Sequence, residues 1–171
     1  MAQVYVSIGS NQQREHYILS CLDALADNFG ELMLSSVFES EAVGFRGDNF
    51  YNMVVGFTTT LGVAELSRAL KAIEDVNGRT RTGPKFSGRT LDIDILTYDQ
   101  CYGDCEGIQL PRDEILKNAF VLWPLAQIAP QVQHPVTGQS YAELWQAYDR
   151  TRQVLWPVAF SWRGQDFSSP A

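Results

Sequence analysis

Two carboxylates two positions apart, beside a cluster of arginines, are the feature of this sequence best suited to chemistry. Asp92 and Asp94 stand in the run Leu91-Asp92-Ile93-Asp94-Ile95. On a strand both point to one face, roughly 7 Å apart along the chain. At that distance two anions repel by about 2–3 kcal/mol at an effective dielectric near 20, unless water or a cation relieves them. Oxygen ligands without His or Cys suit magnesium better than zinc. Arg79, Arg81, Lys85 and Arg89 place 4 of the 13 basic residues within 11 positions just before the pair, and no acidic residue lies from Val76 to Leu91. Gly78, Gly83, Pro84 and Gly88 mark the same stretch as a loop. An arginine fork matches phosphate oxygens, and magnesium is commonly held by one or two carboxylates plus substrate phosphates. A nucleoside triphosphate would satisfy both sets. Taken singly, each feature has a plainer reading: a solvated basic loop, and an amphipathic strand with Asp facing water. Phe50 and Phe120 could sandwich a flat heterocycle with Asn52 reading its edge, or they could be core packing. His16 and His134 are isolated and read as structural.

The elements that must position these residues follow from periodicity. Val4 to Ile8 reads as a strand closed by the turn Gly9-Ser10-Asn11. Ile18, Leu22, Leu25 and Phe29 recur on one face of a helix over 14–29, with Gly30 as its stop. Leu32 to Glu39 and Phe50 to Thr60 read as strands joined by a loop over 40–49. Ala64 to Asn77 forms a helix with Leu66, Leu70 and Ile73 on its stripe and Gly78 as a left-handed cap. Leu91 to Tyr98 is the next strand. The order βαββαβ predicts a ferredoxin-like α/β (α+β) core, with two helices on one face of an antiparallel sheet. Helices near 119–128 and 141–148 and a Trp-rich end are C-terminal additions to the same single domain, 1–171.

The chain has 171 residues, 45% of them hydrophobic and 19% charged. This is a folded composition large enough to bury a core without staples. A net charge of −7 argues against nucleic acid or an anionic membrane surface as the main partner. Cys21, Cys101 and Cys105 read as reduced thiols, with no His near the latter two to complete a zinc site. No signal peptide or membrane span is legible. A cytoplasmic protein is the expectation.

Several segments together resemble the 6-hydroxymethyl-7,8-dihydropterin pyrophosphokinase family of folate biosynthesis. They are Ile8-Gly9-Ser10-Asn11, Phe50-Tyr51-Asn52, Ile73-Glu74, Gly78-Arg79-x-Arg81, Gly88-Arg89-Thr90-Leu91-Asp92-Ile93-Asp94-Ile95, Leu110-Pro111 and Phe120-Val121-Leu122-Trp123-Pro124-Leu125. The resemblance implies the ferredoxin-like fold and transfer of pyrophosphate from ATP to the hydroxymethyl group of the pterin, giving AMP. It implies two magnesium ions held by Asp92 and Asp94, with Arg79 and Arg89 acting on the phosphates. Glu74, Arg81, Phe86, Ile95 and Arg112 are then expected at ATP, and Ser40, Val43, Phe50, Asn52 and Phe120 at the pterin. A monomer is expected. The sequence departs from the family's pattern at Arg112, where a His is usual, at Asn118, where an Arg is usual, with Lys117 beside it, and at Phe86, where a Trp is usual. A low-activity or inactive paralogue that still binds pterin or nucleotide is the alternative these departures raise.

Overall fold

The computed structural model describes residues 1–41, 49–78 and 90–170. Its first strand β1 (Ala2–Ser10) leads to helix α1 (Arg14–Phe29), then β2 (Met33–Leu34), β3 (Val37–Ser40), β4 (Phe50–Thr59), α2 (Val63–Val76) and β5 (Asp92–Tyr98). A hairpin of β6 (Gly103–Cys105) and β7 (Ile108–Leu110) follows, then α3 (Glu114–Lys117), α4 (Ala119–Ile128) and α5 (Tyr141–Ala147). Three short strands end the chain: β8 (Leu155–Val158), β9 (Phe160–Trp162) and β10 (Gln165–Ser168). The main sheet runs β5-β1-β4-β3-β8, and β2 also pairs with β4. Every named pairing in this sheet is antiparallel. The expected βαββαβ core is therefore present, with β5 at one edge.

Helix α1 forms over the range its periodicity predicts. Ile18, Cys21, Leu22 and Leu25 are its buried face, and burying one such leucine contributes about 1.5–3 kcal/mol. Phe29 at its end stacks on Phe57 of β4, ring centroids 4.3 Å apart. In α2 the buried stripe is Val63, Leu66, Leu70, Ile73 and Glu74. Gly78 follows that helix at φ 78°, the left-handed conformation that costs glycine nothing.

The structure departs from or adds to the sequence reading in four places. The expected strand over 32–39 is two short strands. At the break, the Ser35 hydroxyl accepts from the Val54 backbone N–H (2.9 Å), and the Ser36 N–H donates to the Gln127 side chain (2.9 Å). Side chains there replace part of the ladder. The two helices expected on one face are there, and the C-terminal helices, whose place the sequence left open, cover the other. α1 and α2 cover one face through a core that includes Val6, Ile8, Leu22, Leu66, Val55 and Ile93. On the other face a second cluster joins Tyr5, Val54 and Leu96 to Val121, Leu122 and Leu125 of α4 and Tyr141 of α5. Alternation along β5 puts Leu96 on this second face, opposite Ile93 and Ile95. The strands β6 to β10 were not expected; of these, β8 extends the main sheet past β3. Finally, Cys101 and Cys105 are not free thiols but form a disulfide, with Cα atoms 6.7 Å apart. The two sit where the chain leaves β5 and folds into the β6–β7 hairpin, a proximity that four-residue spacing alone does not reveal. Cys21 is a buried free thiol, pushed up first by burial and then by the charge of Glu74.

His134 is 3% exposed. Its Nδ1 accepts from the backbone N–H groups of Val136 (3.1 Å) and Thr137 (3.2 Å). Burial holds its pKa below the ordinary 6.5. The unfolded chain therefore binds the proton first. Stability is undiminished above pH 6.5 and falls as pH drops below it, by up to about 1.4 kcal/mol per unit until the folded-state pKa is reached. Urea titrations between pH 7.5 and 5 should show this loss in the wild type, by about that slope, and a flatter profile for His134→Gln. Identical profiles would remove His134 as the cause.

Candidate functional site

Strand β5 presents Asp92 and Asp94 side by side because alternation sends Ile93 and Ile95, each 6% exposed, into the core against α2. As an edge strand, β5 has outward backbone donors that need partners. The Ile93 N–H finds one in Glu74 of α2, whose Oε2 accepts at 2.7 Å. Glu74 is itself buried, at 7% exposure. The contact ties α2 to the strand at the residue between the two aspartates.

A cleft of ≈ 320 Å³ opens along this edge. Asp92, Asp94, Ile95, Glu74 and Arg112 all line it, so five of the sequence-predicted residues converge there. Ser67, Lys71 and Ile108 also line it and were missed. Lys71 lies one helical turn before Glu74 on α2, and that i, i+3 spacing was the available signal. Ile108 comes from β7, whose place no local pattern announces.

Arg112 carries both an attraction and a constraint. Its Nη2 lies 3.5 Å from Asp94, and its Nε donates to Glu114 at 2.7 Å. Burial opposes its charge, but Asp94 and Glu114 more than offset this and hold the guanidinium protonated. A fixed cation therefore stands in the cleft. Asn118 does not line this cleft: its Oδ1 accepts from Gln153 (2.9 Å), whose Oε1 in turn accepts the Ala119 N–H at the start of α4 (2.7 Å). Lys117 pairs with Asp113 at 2.9 Å.

The residues expected at the pterin lie across the sheet from the aspartates. Asp92 pairs with Gly9 of β1, and Gly9 pairs with Asn52 of β4. Strands lie about 4.8 Å apart, so the Asn52 backbone is about 10 Å from that of Asp92, on the same face. Asn52 donates to the Ser40 hydroxyl at 3.0 Å in a buried contact. A Cβ at position 9 would lie 3.1 Å from Asn52 Oδ1, so a larger residue there would push the Asn52 side chain by a few tenths of an ångström. Alternation puts Ser40, Phe50 and Asn52 on the face that α4 partly covers. Phe120 comes from α4 itself, half-buried against the second cluster.

Val43, Arg79, Arg81, Lys85, Phe86 and Arg89 lie outside the described residues. Among the described residues, no group of three His, Cys, Asp or Glu side chains could hold a metal ion. The donor set at Asp92 and Asp94 fits magnesium shared with substrate phosphates: two carboxylate ligands, open to a cleft, with no nitrogen or sulfur donor. Among the same residues no helix is long and apolar enough to cross a membrane.

Comparison with known proteins agrees with this arrangement. Residues 5–130 match the family model of 7,8-dihydro-6-hydroxymethylpterin-pyrophosphokinase. The chain is 36% identical over 138 residues to the 2-amino-4-hydroxy-6-hydroxymethyldihydropteridine pyrophosphokinase of Aquifex aeolicus, covering 80% of this chain and 86% of that one. It is 33% identical to the protein of the same name from Bacillus subtilis, covering 78% and 82%. A folic acid synthesis protein of Pneumocystis carinii matches 96% of this chain at 31% identity, but the match spans only 23% of that longer protein. In structure the chain is similar to wild-type HPPK-DHPS of Plasmodium falciparum, with a TM-score of 0.71 at 12% identity, over 99% of this chain and 50% of that one. The last likeness speaks for the fold alone. On the family model and these relatives, the chain belongs to the 7,8-dihydro-6-hydroxymethylpterin-pyrophosphokinase family.

Proposed function

We propose that this protein transfers the β,γ-pyrophosphoryl group of ATP to the hydroxymethyl oxygen of 6-hydroxymethyl-7,8-dihydropterin, releasing AMP. The observation that carries the reading is the convergence of Glu74, Asp92, Asp94, Ile95 and Arg112 on one cleft, with Asn52 two strands from Asp92 on the same sheet face. The apolar strip of Leu70, Ile95 and Ile108 suits a purine base, and Lys71 and Arg112 suit its phosphates. Asn52 and Ser40 offer amide and hydroxyl groups to the pterin edge, and Phe50 and Phe120 its two faces. The pterin hydroxyl oxygen attacks the β-phosphorus and releases its proton to solvent, while the bond from the β-phosphorus to the oxygen bridging the α-phosphorus breaks and that oxygen leaves on AMP.

Such a transfer needs positioning and charge neutralisation more than covalent chemistry from the protein. Asp92 and Asp94 would hold magnesium, two ions in the proposed reading, and the metal would neutralise phosphate charge. Arg79, Arg81 and Arg89 are assigned to the same polyphosphate and Phe86 to the nucleotide's outer side, on sequence grounds; Val43 is assigned likewise to the pterin. The presence of both carboxylates, both rings and Asn52 supports an enzyme over a chain that only binds. We place it in the cytoplasm as a monomer, where ATP is supplied. The test is AMP release on mixing the protein with ATP, magnesium and the reduced pterin. AMP that requires all three supports the reading, and tight pterin binding without AMP overturns it.

A further inference from the structure

We infer that Arg14 is a positioning residue for the pterin side of the site, acting from the opposite face of the sheet; the inference rests on the function proposed above. Arg14 is the first residue of α1. Its Nη1 donates to Glu39 Oε2 at 2.9 Å and to the Asn49 carbonyl at 3.0 Å, and its guanidinium carbon lies 3.9 Å from the centre of the Tyr51 ring. Asn49 Nδ2 also donates to Glu39 Oε2, at 3.3 Å. Tyr51 is braced edge-on by buried Phe160, at 6.0 Å.

One side chain thus grips the end of β3 through Glu39, the start of β4 through Asn49, and the ring between them. Glu39 and Tyr51 are direct cross-strand partners. Their neighbours Ser40, Phe50 and Asn52 point the other way, toward the pterin region. The buried Asn52–Ser40 bond spans the same two strands, so it depends on the strand spacing that Arg14 fixes. A shift on the order of 1 Å at reacting groups can cost about 100-fold in rate.

The location argues against a role in helix stability. A cation in the first turn opposes the helix dipole, so Arg14 is held there by its partners, not by the helix. Glu39 supports this: burial would raise its pKa, yet the hydrogen bonds from Arg14 and Asn49 hold it lowered.

The test compares wild type, Arg14→Ala, Glu39→Gln and the double variant, measuring kcat and the KM values of pterin and ATP. Arg14→Ala should raise the pterin KM about tenfold, the loss of one charge-assisted clamp, with ATP KM within about twofold. The double variant should be no worse than Arg14→Ala, since both remove one interaction. Arg14→Lys keeps the charge but not the flat stacking on Tyr51, so it should fall between, and it gives the same reading should the alanine variant fail to fold. An unchanged pterin KM, equal rises in both KM values, or effects that multiply in the double variant would overturn the inference while leaving the proposed function standing. No AMP from the wild type would overturn both.

Discussion

Changing Asp92 and Asp94 together to asparagine should lower kcat by about 10³-fold or more while leaving the fold intact, because charge neutralisation at the phosphates is the main catalytic term in such transfers. The fold should tolerate the change for a specific reason. Ile93 and Ile95, not the aspartates, carry the packing of β5. Removing Asp94's charge takes one partner from Arg112, but Glu114 still holds that guanidinium at 2.7 Å, so no cation is left bare. Asparagine keeps the size and polarity of the side chain and loses only the anion. The repulsion between the two carboxylates, about 2–3 kcal/mol at an effective dielectric near 20, disappears as well. Steady-state kinetics over a magnesium titration, with thermal unfolding alongside, checks this. A double variant with near-wild-type turnover would refute the assignment of these two residues.

The second large effect is expected at Glu74. Glu74→Ala leaves the buried Ile93 N–H without the carboxylate it donates to, and an unsatisfied buried donor costs about 1–3 kcal/mol. Ile93 lies between the two aspartates, so the strand edge that presents them should loosen as well. We expect a lower urea midpoint at unchanged m, equivalent to about 2 kcal/mol, and a kcat loss of about tenfold or more. Glu74→Gln, which keeps an acceptor oxygen and the shape, should recover much of the stability. Alanine and wild type indistinguishable in both measurements would show that Glu74 is dispensable.

The two predictions separate kinds of residue that the sequence also separated unequally. Asp92 and Asp94 were legible from their spacing, because alternation along a strand is a local rule and fixes their common face. α1 was legible to the residue, since its apolar stripe and the following glycine are both local signals. Arg112 and Glu74 entered through family resemblance; the structure adds that one is clamped between Asp94 and Glu114 and the other caps the strand edge. Lys71 was missed although its spacing from Glu74 was a signal, and Ile108 was not found because it reaches the cleft only through the placement of β7.

By itself, the sequence determined the βαββαβ order of the core, the paired carboxylates, the arginine-rich stretch that precedes them and the family. Those are consequences of local periodicity, charge and motif spacing. Only the tertiary structure decided that Gly9 brings Asp92 and Asn52 into one row, that α4 and α5 cover the second sheet face, that Cys101 meets Cys105, and that Arg14 grips β3 and β4 from behind. Each of these depends on strand register or on contacts between residues far apart in the chain. Such contacts are set by how the whole core packs, and no window of neighbouring residues contains them.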